Sequence, residues 1–492
     1  MKVLLVYPKC PSTFWSFDNI LKFINKKSTY PPLGLLTVAS LLPKKWDKKL
    51  VDCNVRSLRD EDILWADIVF ISAMLVQRID TQNIIDRCKK LNVKVVAGGP
   101  AFTTSYETFK GVDYLVLNEA EVTLPLFLKD LKKGAPKKIY SSLIRPDITK
   151  TPVPMWNLIN PKDYSTMPIQ YSRGCPFNCE FCDIIIMNGR VSRTKTPKQV
   201  IKELQAVYNL GWRGGVFIVD DNFIGNKVNV KKMLPLLIDW QRNHDYPVTL
   251  LTEASINLAD DEELMDLMIE ANFDKVFLGI ETPDNESLKE CGKIQNTNKN
   301  LIDVVKIIHK KGMQVMGGFI VGFDNDKEGI FERQIKFIQK SGVVTAMVGL
   351  LTALPQTRLW KRLKGEGRII KETTGENTDG HLNFVPKMGE KALIKGYKKI
   401  LSTIYSPKKY YERIKEFIAD YEPKFKSKFS SQGLKAFFKS VWEIGILSKS
   451  RVLYWQLLLR TILTKIKAFP VAVELAIQGL HYEKIAEKIA NT

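Results

Sequence analysis

Three cysteines fall within eight residues, Cys175-Pro176-Phe177-Asn178-Cys179-Glu180-Phe181-Cys182, a C-x3-C-x2-C spacing preceded by Arg173-Gly174. Thiolates this close can hold an iron–sulfur cluster or zinc. Zinc ordinarily takes a fourth Cys or His. The only histidines are His244, His309, His381 and His481, and the nearest follows Cys182 by 62 residues. A [4Fe–4S] cluster on three thiolates would leave one iron open to a small ligand. The other four cysteines, Cys10, Cys53, Cys88 and Cys291, stand singly. An odd total of seven, so distributed, is no disulfide framework and fits a reduced, cytoplasmic setting. Further polar groups close apolar runs: Asp220-Asp221-Asn222, Glu253 and Gly279-Ile280-Glu281-Thr282. Carboxylates at strand C-termini point into the mouth of a barrel, which makes Glu253 and Glu281 site candidates. The run Gly317-Gly318-Phe319-Ile320-Val321-Gly322-Phe323 lies inside an apolar strand and does not open a helix, so it is no dinucleotide fingerprint.

Such groups need strands whose ends converge. A chain of 492 residues exceeds one ordinary domain, and 45% hydrophobic with 26% charged residues excludes a mainly disordered state. Apolar strand runs at residues 3–7, 49–52, 68–73, 94–97 and 114–117 alternate with helical stretches at 33–42 and 79–90. That alternation predicts a doubly wound, flavodoxin-like parallel sheet over residues 1–135, with any ligand beyond the strand C-termini. Residues 136–168, rich in proline, read as an extended linker. A second series follows, with strands at 169–173, 216–220, 248–252, 275–280, 314–321 and 345–351, and helices at 197–208, 260–271, 301–311 and 327–340. Six such units over 169–389 predict a partial (β/α)6 barrel of TIM type. Residues 390–492 are helical in pattern. The fold class is therefore α/β with a helical C-terminal extension. The N-terminus lacks the long apolar core and cleavage site of a signal peptide, and no stretch approaches a spanning helix.

The cysteine loop after the first strand of a partial barrel resembles the radical S-adenosylmethionine (SAM) superfamily. The resemblance implies that Cys175, Cys179 and Cys182 ligate a [4Fe–4S] cluster and that SAM chelates the open iron, with Phe181 near the adenine. One-electron reduction, by a donor of flavodoxin or ferredoxin type, would then yield a 5′-deoxyadenosyl radical. It also implies SAM contacts from Asp220, Asp221, Asn222, Glu253, Glu281, Gly317 and Gly318. The Asp-Asp-Asn triplet departs from the Gly-Gly-Glu-like residues of most members. A doubly wound domain ahead of such a barrel is similar to the cobalamin (B12)-binding branch. Its matching stretches are Tyr30-Pro31-Pro32-Leu33-Gly34-Leu35, Ser72-Ala73-Met74-Leu75-Val76-Gln77, Ala97-Gly98-Gly99-Pro100 and Asn118-Glu119-Ala120-Glu121. Cobalamin contacts are implied for Ser72, Met74, Leu75, Val76, Gln77, Gly98, Gly99, Pro100 and Glu119. Residues 1–150 contain no histidine, so a cobalt-ligating Asp-x-His-x-x-Gly motif is excluded from this domain. Within the branch, residues 273–283, 349–355 and 383–388 resemble the group that includes the hopanoid C-2 methylase. Gln356 replaces the expected glycine of Leu-Pro-Gly-Thr.

The formal net charge is +21, and residues 391–492 hold 20 Lys or Arg against 8 Asp or Glu, more than half of that excess. Helical residues 449–467 place Lys449, Gln456, Arg460 and Lys467 on one narrow face and apolar side chains elsewhere. This pattern predicts burial against the barrel, with an interfacial helix as the alternative. The Lys-rich stretch 391–430 allows a peripheral contact with the cytoplasmic face of a membrane. The function expected from the resemblance is C-methylation of an unactivated carbon of a small molecule, a lipid or secondary metabolite. SAM would serve both as methyl source, through cobalamin, and as radical source. A non-methylating cobalamin radical cyclase or rearrangement enzyme is the alternative. An RNA-binding or RNA-modifying protein is disfavoured, because Cys10, Cys53 and Cys88 are spread one per element and form no second cluster motif. No catalytic acid or base is singled out.

Overall fold

The structure is a computed structural model that describes residues 1–424, 426 and 431–491. The first sheet holds six parallel strands: β1 (Lys2–Tyr7), β2 (Asp47–Asp52), β3 (Ile68–Ser72), β4 (Lys94–Gly98), β5 (Tyr114–Val116) and β6 (Ile139–Tyr140). Their spatial order is β2-β1-β3-β4-β5-β6, the doubly wound order with its reversal at β1. Strands β1, β3 and β4 are almost wholly apolar because helices cover both faces, and two separate clusters of buried side chains flank the sheet. The proline-rich segment read as a linker differs from expectation in one respect. Its Ile139–Tyr140 pairs with β5 and extends the sheet, an addition too short to leave a pattern in sequence.

The second sheet runs β7 (Met167–Ile169), β10 (Gly215–Ile218), β11 (Thr249–Ala254), β12 (Phe273–Glu281), β13 (Gln314–Val321) and β14 (Ala346–Leu350) in that spatial order, all parallel. This is the partial barrel, open between β7 and β14. The strand expected over 169–173 divides in two. Beyond Ile169 the chain leaves the sheet, and β8 (Ser172–Arg173) pairs antiparallel with β9 (Arg193–Thr194). Asp220 causes the bend, since its carboxylate accepts the backbone N–H groups of Tyr171 and Ser172, both at 2.8 Å.

C-terminal helices Glu390–Ile404, Pro407–Asp420, Ser431–Ser440, Arg451–Lys465 and Phe469–Asn491 pack beside the barrel and share its core. The N-terminal segment around residues 14–24 is wedged between them and the barrel: Phe14 stacks on Tyr482 at 4.6 Å, and Trp15 meets Phe277 of β12 at 5.2 Å. Burial of the helix within 449–467 is overturned. Arg451–Lys465 buries only the stripe Tyr454, Leu457, Leu458 and Thr461, against Pro407–Asp420 and Phe469–Asn491, and exposes Val452, Trp455, Leu459, Ile462 and Leu463. Of the Lys-rich stretch 391–430, residues 425 and 427–430 lie outside the described residues.

Candidate functional site

The cysteine loop leaves β8 through Gly174, whose φ of +95° and close neighbours leave no room for a side chain. A Cβ there would lie 2.5 Å from the Val191 carbonyl oxygen. The Asp220-Asp221-Asn222 triplet at the end of β10 clamps the loop from below. Asp220, buried, also accepts from the Ser172 hydroxyl at 2.7 Å, so all its bonds serve the β7–β8 corner. Asp221 accepts from Gly174 N and Asn188 Nδ2, both at 2.9 Å. Asn222 donates to Ser255 Oγ at 3.2 Å, and its amide lies 3.8 Å from Cys175 Sγ. From above, Cys291 O accepts the Glu180 N–H at 2.7 Å, and the Glu180 carboxylate pairs with Arg362 at 2.7 Å. Cys291, one of the four cysteines that stand singly in sequence, thus braces the loop through its backbone carbonyl.

Burial pushes the thiols of Cys179 and Cys182 up, Cys182 the further. Opposing this is Lys293, which the sequence reading missed. Burial works to lower its ammonium, but Glu281 at 2.6 Å and the nearby Cys179 and Cys182 outweigh it and hold Lys293 above its ordinary range. The pair explains Gly279: a Cβ at that position would lie 2.5 Å from Glu281 Oε1 and 2.6 Å from Lys293 Nζ. Glu281 itself turns into the left-handed region (φ +66°) where the β12–β13 register shifts. Only the motif Gly-x-Glu hinted at this arrangement, because Lys293 lies twelve residues on.

Glu253, near the end of β11, is half-buried and lies within reach of the charges of Asp220, Asp221 and Lys293. Burial first, then repulsion from Asp221 and Asp220, raises its carboxyl to about 8. Its surroundings thus favour the protonated carboxyl, the form able to donate a hydrogen bond. Phe181 is half-buried and meets Phe323 at 6.2 Å. The two glycines of β13 differ: a Cβ on Gly318 would lie 2.9 Å from the ring of Phe277 on the adjacent strand β12, whereas a Cβ on Gly317 would press on Val343 and Ile280. Gly317 therefore serves packing between sheet and helices.

In the N-terminal domain Ser72, Gly98 and Gly99 meet at the ends of β3 and β4. Gly98 has no space for a Cβ beside the Val116 carbonyl, and Gly99 (φ +86°) caps the helix Pro100–Ser105. Met74 is exposed beside this shelf, and Leu75 and Val76 are half-buried. A later segment lies on them, with Gly375 against Leu75 and Val76, and Glu372 pairs with Arg78 at 2.7 Å. Gln77 does not face the shelf freely. Its amide, buried, bonds Pro8 O at 2.5 Å and Met74 N at 2.8 Å. Glu119 also points elsewhere, into a buried ion network with Arg173 (2.8 Å), Arg193 (2.8 Å) and Arg145 (3.5 Å). Glu121 adds a second carboxylate on Arg173 at 2.8 Å. Arg173 immediately precedes Gly174-Cys175, so the network ties the N-terminal domain directly to the cysteine loop.

The donor set fits an iron–sulfur cluster: three thiols on one clamped loop, with an ammonium at hand to offset the negative charge their deprotonation creates. Among the described residues no three Cys, His, Asp or Glu side chains gather around one point, as a single ion requires. A cluster of several metals takes its thiolates at separate corners and does not need that convergence. The glycine shelf beyond β3 and β4 fits a large planar ligand laid on a sheet edge.

Family comparisons agree with this architecture. Residues 23–128 match the B12 binding domain, residues 169–338 the radical SAM superfamily, and residues 357–492 a domain of unknown function. An uncharacterised methyltransferase of Synechocystis sp. is 45% identical over 92% of this chain and 86% of its own. The hopanoid C-2 methylase of Rhodopseudomonas palustris is 33% identical over 94% of this chain and 89% of its own. Among solved structures, the cobalamin-dependent SAM radical enzyme OxsB superposes with a TM-score of 0.63 at 15% identity, over 100% of this chain and 80% of that one. The radical SAM methyltransferase TsrM from Kitasatospora setae gives 0.61 at 12% identity, over 97% and 99%. Fold, motifs and relatives converge, and the chain belongs to the cobalamin-binding radical SAM family, in the branch of the hopanoid C-2 methylase.

Proposed function

We propose that this enzyme methylates an unactivated carbon of an apolar, polycyclic small molecule. Its family makes a [4Fe–4S] cluster, SAM and cobalamin its cofactors. When bound, these supply a hydrogen-abstracting 5′-deoxyadenosyl radical and a transferable methyl group. The observation that carries the reading is the buried network of Glu119 and Glu121 with Arg173 and Arg193, which holds the strand ends of the cobalamin-type domain against the cysteine loop. Methyl donor and radical source then share one chamber.

In this reading Cys175, Cys179 and Cys182 ligate the cluster. Asp221 and Asn222 position their loop without touching SAM, which replaces the direct contacts expected for that triplet. Glu253, whose carboxyl burial pushes up, contacts SAM, and the Glu281–Lys293 pair holds balanced charge beside it. Phe181 and Gly318 line the adenine side. Ser72, Met74, Leu75, Val76, Gly98, Gly99 and Pro100 bound the cobalamin face, with Gln77 bracing their loop from behind. Glu119 acts as an interdomain tie. A one-electron donor of flavodoxin or ferredoxin type reduces the cluster. A reducing cytoplasm suits the seven free cysteines. The support for an apolar polycyclic substrate is that one relative is a hopanoid methylase and two others, 26% and 23% identical, are bacteriochlorophyllide methyltransferases of Chlorobaculum tepidum.

The test is a metabolite comparison. A deletion strain carrying wild-type protein should accumulate a polycyclic product heavier by one CH2 unit than the compound found with Cys175→Ala. A product of unchanged or hydrogen-depleted mass would instead establish the cyclase or rearrangement alternative.

A further inference from the structure

Exposed apolar side chains are concentrated in the C-terminal helical region, outside both cofactor domains in sequence. Of the 26 large hydrophobic side chains that stand exposed among the described residues, 11 lie between Leu434 and Ile466, a span of 33 residues in 492. Scatter of that kind is normal, but concentration marks an interaction surface. Phe438, Trp442 and Leu447 present one edge of it; Trp455, Leu459 and Leu463, the last 84% exposed, present the other. The helix Arg451–Lys465 turns this face outward because its opposite stripe, Tyr454, Leu457, Leu458 and Thr461, already occupies the groove between its neighbours.

Charge identifies the occupant. From Pro423 to Val473 the sequence holds ten Lys or Arg and a single acid, Glu443, which Lys22 neutralises at 2.9 Å. Arg451, Arg460 and Lys467 have no acidic partner among the described residues. Between Pro407–Asp420 and Arg451–Lys465 lies a groove of about 210 Å³ whose available cations are Lys415 and Arg460, beside Ile418 and Leu457; Lys465, also in its lining, spends its ammonium on the Ile418, Ala419 and Tyr421 carbonyls at 2.8–3.0 Å. A second copy of this chain would bring a face of like charge, and a nucleic acid has no use for exposed tryptophan and leucine of this number outside a stacking groove. No helix among the described residues is long and apolar enough to cross a bilayer. Aromatic and aliphatic side chains ringed by cations suit the headgroup–acyl boundary, where indole rings and snorkelling Arg and Lys are both favoured.

We propose that residues 434–467 form an interfacial docking surface for a bilayer bearing anionic headgroups, with the apolar edge at the acyl boundary and headgroup phosphates at the unpaired cations Arg451, Arg460 and Lys467. This assigns a role to part of the domain of unknown function and stands whichever reaction the cofactor site performs.

Flotation of the full-length holoenzyme tests it, using phosphatidylcholine vesicles with or without one part in three of phosphatidylglycerol. The protein should float with the anionic vesicles and far less with the neutral ones, and the bound fraction should drop in about 0.5 M salt as screening shortens. The triple variant R451Q/R460Q/K467Q should lower partitioning on the order of 100-fold, at about fivefold per cation. Leu459→Ser with Leu463→Ser should lower it at least about tenfold, since two exposed leucines no longer enter the boundary. Both variants should keep wild-type cobalamin content and unfolding midpoint, because every changed residue is exposed. Should the leucine variant fail to fold, the cation variant alone decides. Absence of flotation on anionic vesicles would overturn the proposal. So would an unchanged partition for the cation variant, or a wild-type dimer that the leucine variant dissociates.

Discussion

Asp221 shows how a side chain can serve a cluster without touching it. Its single Oδ2 holds both Gly174 N and Asn188 Nδ2, one residue ahead of Cys175 and at the far end of the same loop. Removing a partner that orients a metal ligand typically costs 10–100-fold in affinity. Asp221→Ala should therefore fold, as judged by circular dichroism, yet retain iron and sulfide about 10–100-fold more weakly during anaerobic dilution. Equal retention would show that the loop holds itself. Gln356 illustrates the opposite case, a departure without loss of shape. Its φ of +67° keeps the left-handed backbone that the usual glycine would adopt, and its amide reaches Thr104 O of the N-terminal domain at 3.3 Å. The strain, about 1–2 kcal/mol for a residue with a Cβ, is offset in part by that tether. Legibility at this scale was uneven. The three cysteines, Glu253 and Glu281 are visible because their types and strand-end positions are unusual in themselves. Lys293, Arg173 and Cys291 are not, because a lysine, an arginine or a lone cysteine has no local pattern that marks it as a neighbour of a loop distant in sequence.

Strands and their order were the most legible elements. Buried parallel strands must be apolar, and the short connections force right-handed crossovers. The two misread places have a common cause, since β6 and the β8–β9 hairpin are two-residue pairings made by neighbours rather than by periodicity. The helix Arg451–Lys465 was misjudged for a related reason. It is apolar nearly all round, so sequence cannot say which stripe meets protein and which meets something else. Elements also carry the pH dependence of the fold. His309, on helix Leu301–Lys311, is fully buried against Phe417 at 4.8 Å with neither ring nitrogen bonded. Burial lowers its imidazole to about 3, whereas the unfolded chain binds that proton near 6.5. The unfolded state therefore binds more protons between those values, and stability falls as pH drops through 6.5 toward 3. At pH 5 the loss from this group is about 2 kcal/mol. His309→Leu should remove that component, so that the urea midpoints of variant and wild type converge or cross between pH 7.5 and pH 5. An unchanged difference across that range would contradict the assignment.

Across the whole molecule, two cofactor domains and a helical region are fastened at distinct places. The N-terminal segment with Phe14 and Trp15 locks the barrel to the last helix, while the Glu119–Arg173 network locks the first domain to the cysteine loop. That network is less than about a quarter exposed, so a lone substitution would leave an unpaired charge inside the protein. A rigid interface of this kind suits a reaction in which two cofactors must act on one carbon in sequence. The central claim, that one chamber joins radical generation to methyl transfer, is tested most directly by product stoichiometry. Anaerobically reconstituted protein, given SAM, a low-potential reductant and an extract of polycyclic lipids, should release 5′-deoxyadenosine and S-adenosylhomocysteine in equal amounts with methylated product, and Cys179→Ala should abolish the 5′-deoxyadenosine. Formation of 5′-deoxyadenosine without S-adenosylhomocysteine, from protein that contains cobalamin, would contradict it.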